Sequence, residues 1–268
     1  MIAVIAGTGY LPIQACQSLR AADRPFFVVA LFPDDNHAAL IKTVDGYADV
    51  VTLPFYKPSL ILALLKERTT THVFFIGKVD KAVLFKRLSL DWLAIKLLSS
   101  VIGCKSDKAL MERLIGELQK HDIEVLHQSN VLSSLFVPPG VICGKLTQEI
   151  ETDIALGMAT AQTLANAQIG QTIVVKDGMI LAVEAIEGTD ACIKRGIELG
   201  ITGVIICKTA CANHNTRFDL PTLGPTSLTS IATGQVAAIA WSSQHTLIAE
   251  YDAFIARAKE LGITLVSY

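Results

Sequence analysis

Short apolar runs alternate with segments of helical period along the first half of the chain. Ile2–Ala6, Phe26–Leu31, Val50–Leu53 and His72–Ile76 have the length and β-branched or aromatic content of buried strands. Ile13–Ala22 and Pro58–Arg68 carry apolar residues at helical spacing between them, and Asp107–Gln119 reads as a further helix with Ser106 as its N-cap. Ile123–Leu126 closes this part as a strand. Strands that alternate with helices predict an α/β fold built on a parallel sheet with right-handed crossovers.

The pattern lapses over His127–Gln148, which is rich in serine, carries Pro138-Pro139-Gly140 and shows neither period. The expected division is therefore a first domain over 1–130, a linker over 131–148 and a second, mixed α/β domain over 149–268. In the second domain Glu149–Gln168 reads as a helix. Ile173–Val175 and Ile180–Val183 flank Lys176-Asp177-Gly178-Met179, and Asp-Gly between apolar runs predicts a hairpin. Thr189 or Asp190 is expected to cap a helix running to Leu199, and Val204–Cys207 is a strand. A helix over Ser227–Gly234, strands at Val236–Trp241 and Thr246–Ala249, a helix from Tyr251 stopped by Gly262, and a strand at Ile263–Val266 complete the reading.

Composition narrows the class. At 268 residues the chain is long for one domain; it is 51% hydrophobic and 18% charged, enough to build two cores. A formal net charge of −2 argues against a general nucleic-acid binder, which usually carries a basic footprint. No apolar stretch reaches the roughly 18 residues that span a bilayer, and the first residues lack the basic start of a signal peptide. The six cysteines are scattered without a zinc-ligand set, so packed, reduced thiols in a cytoplasmic protein are expected. The apolar content favours a homodimer.

The most polar exit from a strand is the stretch Gly203–Gly224, where Val204–Cys207 empties into Lys208, Thr209, Asn213, His214, Asn215, Thr216, Arg217 and Asp219. In extended chain Arg217 and Asp219 would leave on one face, and such a cation–carboxylate pair suits a phosphorylated substrate with a divalent metal. The bland alternative is a surface loop with a local ion pair. At the start, Gly7-Thr8-Gly9-Tyr10-Leu11-Pro12 follows a strand and opens a helix, as phosphate-binding loops do, but Pro12 stands where a third glycine belongs. Gly77-Lys78 fall at the same sheet edge, open to phosphate, sugar or plain solvent. Glu184, Glu187 and Asp190 cluster beyond a strand, either as metal ligands or as helix-start residues. From Lys78 to Ser100 basic and apolar residues interleave, which suits an amphipathic helix on its own domain or contact with an anionic membrane.

Several blocks together resemble a known family: IAGTGYLP at the start, GKV at 77–79, DIALGMATA at 153–161, IGQTIVVKDGMILAVEAIEGTDACIKR at 169–195 and TRFDLPTLG at 216–224. They look like the UDP-2,3-diacylglucosamine pyrophosphatases of the LpxI type, enzymes of lipid A assembly. The resemblance implies a Rossmann-like N-terminal domain with a separate C-terminal catalytic domain. It further implies a Mg²⁺-assisted attack of water on the α-phosphorus, giving UMP and 2,3-diacylglucosamine 1-phosphate (lipid X). It assigns the essential carboxylate to Asp219, which would hold the metal or orient the water, with Arg217 beside it. Gly7, Thr8, Gly9, Leu11, Gly77, Lys78, Thr189, Asp190, Lys208 and Thr216 become the expected substrate contacts. A protein of this kind would sit at the cytoplasmic side of the inner membrane as a peripheral protein. The segment Cys211–His214 departs from the family pattern, which carries a second lysine there. Two other readings stay open: an NAD(P)-dependent oxidoreductase, on the glycine loop, and a non-catalytic binder of a sugar nucleotide or lipid X.

Overall fold

The computed structural model describes residues 1–32, 37–79, 90–99, 107–212 and 214–268. The chain divides into two units, Met1–Ser133 with Thr216–Asp219, and Ser134–Asn215 with Leu220–Tyr268. The first unit holds strands β1 (Ile2–Ala6), β2 (Phe26–Ala30), β3 (Val50–Thr52), β4 (His72–Ile76) and β5 (Glu124–Val125). They form an all-parallel sheet in the order β3-β2-β1-β4-β5. This is the doubly wound order, whose direction of winding reverses between β1 and β4. β1 and β2 are buried at every position, the signature of strands covered on both faces. Their core includes Ala3, Ile5, Phe27, Val29, Leu65, Val73, Ile115 and Leu118.

The second unit holds β6 (Gly140–Cys143), β7 (Thr172–Lys176), β8 (Met179–Val183), β9 (Val204–Lys208), β10 (Thr222–Leu223), β11 (Val236–Trp241), β12 (Leu247–Ile248) and β13 (Thr264–Ser267). Six of these make a sheet in the order β6-β13-β11-β9-β7-β8, while β10 and β12 pair separately. β13, β11 and β9 run parallel at its centre, whereas β6, β7 and β8 pair with their neighbours antiparallel. The predicted hairpin is present with left-handed Asp177 (φ 49°) and Gly178 (φ 74°) at its tip. Asp153 of the helix Gln148–Asn166 accepts from both tip amides, Asp177 N and Gly178 N at 2.8 Å each, which gives the buried aspartate of the DIALGMATA block a structural task.

The structure corrects several sequence expectations. The stretch expected as a linker contains regular elements: a short helix Gln128–Val131, a 3₁₀ turn Ser133–Leu135, and the edge strand β6. A strand of four residues in which glycine and cysteine flank only two β-branched positions carries too little pattern to stand out. Ser227–Gly234 is not a helix; a 3₁₀ turn Pro225–Leu228 takes its place, started by a proline and a Gly224–Ser227 hydrogen bond. The helix Thr189–Gly200 is capped by Gly188 (φ 84°), not by Thr189 or Asp190, which begin the helix itself. Ser106, Asp34, Asp35 and, within 78–100, residues 80–89 and 100, including Lys81, Lys86 and Arg87, lie outside the described residues.

Candidate functional site

At the switch between β1 and β4 the two loops are joined to each other. Thr8 N donates to Lys78 O at 2.8 Å, Lys78 N to Thr8 O at 2.9 Å, and Gly7 N to Ile76 O at 2.8 Å. The approach leaves no room for side chains at either glycine. A Cβ on Gly7 would overlap the Lys78 carbonyl, and one on Gly77 (φ 94°) would stand 2.8 Å from Thr8 O and from Pro12 Cγ. Both glycines are thus required by loop packing. The helix Leu11–Ala21 that follows is a poor phosphate nest: Pro12 has no N–H, and the amides of Ile13 and Gln14 both donate to Tyr10 O. Gly9 and Lys78 remain exposed at this edge, with Thr8 and Leu11 half-buried beside them.

The tetrapeptide Thr216–Asp219 belongs with this first unit. Gln128 N donates to Thr216 O at 2.6 Å, His127 Nδ1 lies 2.6 Å from Thr216 Oγ1, and the buried Gln128 side chain donates to Phe75 O at 2.8 Å. Phe218 is buried in the core that contains Ala3, Ile5 and Phe27. Asp219 is exposed with φ 58°, in the left-handed region. The extended geometry that would set Arg217 and Asp219 on one face is therefore absent; Thr216 and Arg217 lie in a turn. The residues expected from the far domain are carried by the near one. The pattern that could have shown this is a lone phenylalanine in a polar loop, which needs a core to enter.

In the second unit a polar group gathers at the carboxyl end of β9. Lys208 is 5% exposed, and its register partner on β7 is Thr172. Lys208 Nζ donates to Thr189 Oγ1 at 2.7 Å and to Thr172 Oγ1 at 3.3 Å. Thr189 Oγ1 donates to Glu184 Oε1 at 2.9 Å, and Gln171 N donates to Glu184 Oε2 at 3.3 Å. Asp190 is exposed on the first turn of its helix. The carboxylates that the sequence grouped take separate partners: Glu187 pairs with Arg195 at 3.0 Å and accepts from Ala185 N, while Glu184 serves Thr189. Among the described residues no group of three or more His, Cys, Asp or Glu is placed to hold a metal.

The departing segment is tied down on its own side. Gln162 and Asn166 of the helix Gln148–Asn166 bond to Ala210 O at 3.0 Å and Ala212 N at 3.1 Å. Cys211 Sγ lies 3.9 Å from His214 Nδ1. Burial and the neighbouring His214 push the His245 imidazole below its ordinary pKa. The other described cysteines, Cys16, Cys143, Cys192 and Cys207, are unpaired and buried; burial pushes the Cys16 thiol up to about 12 and Cys192 up to about 11.

Comparison with known proteins covers nearly the whole chain. Residues 1–135 match the LpxI N-terminal domain and residues 138–266 match the LpxI C-terminal domain. A UDP-2,3-diacylglucosamine pyrophosphatase, LpxI, of Caulobacter vibrioides is 32% identical over 98% of this chain and 95% of its own.

Proposed function

This chain belongs to the LpxI family, and from that premise we propose that it is a UDP-2,3-diacylglucosamine pyrophosphatase of lipid A synthesis. In this reading, water attacks the α-phosphorus and UMP and lipid X leave. The observation that supports it most directly is the 32% identity to a UDP-2,3-diacylglucosamine pyrophosphatase over 98% of the chain, and the loop that carries Asp219 fits it. Asp219 is held at φ 58°, exposed between buried Phe218 and Leu220, in a left-handed φ region that seven other described non-glycine residues also adopt. Aspartate tolerates that conformation better than most residues, and Asp219 is exposed.

A pyrophosphate diester is anionic and repels an attacking oxygen, so charge must be offset before reaction. Arg217 and Lys208 supply the cations, and Asp219 accepts a proton from the water or binds the metal. The donor set does not resemble a resident metal cage. One exposed carboxylate together with substrate phosphate oxygens is, however, a set Mg²⁺ accepts, since that ion usually keeps waters and leans on phosphates. In this proposal Asp219 would hold Mg²⁺ together with the substrate diphosphate, and the ion would supply further charge neutralisation there.

Access to a diacylated substrate implies contact with the inner leaflet from the cytoplasmic side. Among the described residues no helix is long and apolar enough to cross a membrane. Leu60, Trp92 and Ile95 are large apolar side chains exposed on the helices Pro58–Glu67 and Trp92–Ser99, with Lys96 Nζ 5.6 Å from the Trp92 ring centre. Aromatic and aliphatic groups beside lysine suit a peripheral position at an anionic surface. The NAD(P) alternative loses ground at the helix Leu11–Ala21, where Pro12 has no N–H and the amides of Ile13 and Gln14 are engaged by Tyr10 O.

The test is release of UMP from UDP-2,3-diacylglucosamine with Mg²⁺ or with EDTA. Metal-dependent release is expected. Binding without turnover would replace the enzyme by a sugar-nucleotide or lipid X receptor.

A further inference from the structure

We propose that Glu184 and Thr189 are positioning residues for Lys208, forming a one-way hydrogen-bond chain that fixes where its ammonium points. The proposal rests on the reading of Lys208 as a phosphate-facing cation and adds to it Glu184, which need not touch the substrate, and a second task for Thr189, one of the expected substrate contacts.

The direction of the chain follows from the chemistry of its ends. An ammonium has only donors and an ionised carboxylate only acceptors. Thr189 has one hydroxyl proton. Placed 2.7 Å from Lys208 Nζ and 2.9 Å from Glu184 Oε1, it must accept from the first and donate to the second. The hydroxyl therefore passes the negative charge of Glu184 toward a buried cation without the two charged groups meeting. Burying an ammonium is costly unless its donors are satisfied and a countercharge is near, and this arrangement engages two of the three donors and brings a countercharge near.

The backbone makes the chain rigid. Thr172 and Lys208 are register partners on adjacent strands, and Thr172 Oγ1 takes a second Lys208 N–H at 3.3 Å. Glu184 N donates to Thr172 O at 2.9 Å, and Glu184 Oε2 accepts from Gln171 N, so the carboxylate is fixed to the strand that carries Thr172. Thr189 sits at the first position of its helix, immediately after Gly188. Two N–H directions of Lys208 are thereby set from β7 and from that helix, and rotation of the ammonium is stopped. A lysine held this way meets a phosphate oxygen with little further loss of freedom.

Steady-state kinetics of UMP release and calorimetric binding of UDP, both on the full chain with Mg²⁺, test the proposal in Glu184→Ala, Glu184→Gln, Thr189→Val and Thr189→Ser. Glu184→Ala and Thr189→Val should raise KM, and weaken UDP binding, by about tenfold or more with kcat less affected. Thr189→Ser keeps the hydroxyl and should recover most of the loss; Glu184→Gln keeps an acceptor and should recover part of it. A merely structural role would instead lower the melting temperature of Ala and Val variants without this selective rescue. Parent-like KM and UDP affinity in a folded Glu184→Ala would overturn the proposal. A parent that binds UDP but releases no UMP would sink the hydrolase reading while the UDP affinities still decide the role of Glu184 and Thr189. A parent with neither activity would sink both.

Discussion

His127 Nδ1 lies 2.6 Å from Thr216 Oγ1, and the next residue, Gln128, holds the Thr216 carbonyl through its own amide. Residues 89 positions apart in sequence thus anchor the start of the loop that ends in Asp219. Thr216→Val removes the hydroxyl while keeping the shape. It should lower kcat for UMP release by about tenfold, the scale of one lost hydrogen bond at a positioned group, with little change in melting temperature. His127→Ala should do the same. Parent-like kcat in both variants would mean that the backbone bond from Gln128 suffices.

Asp219→Asn separates charge from backbone. Asparagine accepts the left-handed conformation that Asp219 adopts at φ 58°, so the variant should fold as the parent does. Loss of the carboxylate should cut kcat by about 10²–10⁴-fold, as expected for removal of a group that takes a proton or holds the metal. Undiminished turnover would remove Asp219 from the mechanism.

Gly77→Ala asks whether the glycine loops serve the fold. The new methyl would require φ near 94° and would crowd Thr8 O and Pro12 Cγ. Strain and overpacking together should cost about 2–4 kcal/mol in denaturant unfolding. Stability equal to the parent's would show that the Thr8–Lys78 bridge opens easily.

Trp92→Glu tests the membrane-facing reading. The chain has two tryptophans, and Trp241 is 1% exposed, so Trp92 at 63% dominates any change in fluorescence on binding vesicles. A blue shift with anionic vesicles, smaller with neutral ones, is expected for the parent. Its loss in Trp92→Glu, at equal turnover of detergent-dispersed substrate, would locate the contact.

His245 gives a pH signature. Its pKa is lowered on folding by burial and by His214, and its Nδ1 lies 3.1 Å from Ser242 Oγ. The unfolded chain therefore binds the proton more readily. The stability tied to neutral His245 is present above about pH 6.5, the ordinary histidine value, and is lost as pH falls through the lower folded value. His245→Gln should flatten the decline in denaturant midpoint between about pH 7 and pH 5. An unchanged decline would place its origin elsewhere.

How far these features could be read from the residues depends on the length of the pattern that carries them. Buried runs such as Ile2–Ala6 and His72–Ile76, and the Asp177-Gly178 hairpin, repeat one signal over several positions, and the sheets follow it. Lys208 was legible as the first polar residue after the apolar run Val204–Cys207, and Asp219 as part of the block at 216–224. Gly7 and Gly77 were legible as special, as candidates for ligand approach, and the structure adds that each is required by the opposite loop. The assignment of Thr216–Asp219 to the first unit left only a lone phenylalanine in a polar loop to read, because it depends on one buried ring and on bonds from His127 and Gln128 that no local period records.

That assignment has a consequence for anyone recombining this protein with a relative. A chimaera joined between the two family segments near residue 136 would take Phe218 from one parent and Ala3, Ile5 and Phe27, the wall it fits, from the other. The functional seam of the gene is therefore interrupted rather than single. A graft that carries residues 216–219 along with the first 133 respects it, and a simple front-for-back exchange does not.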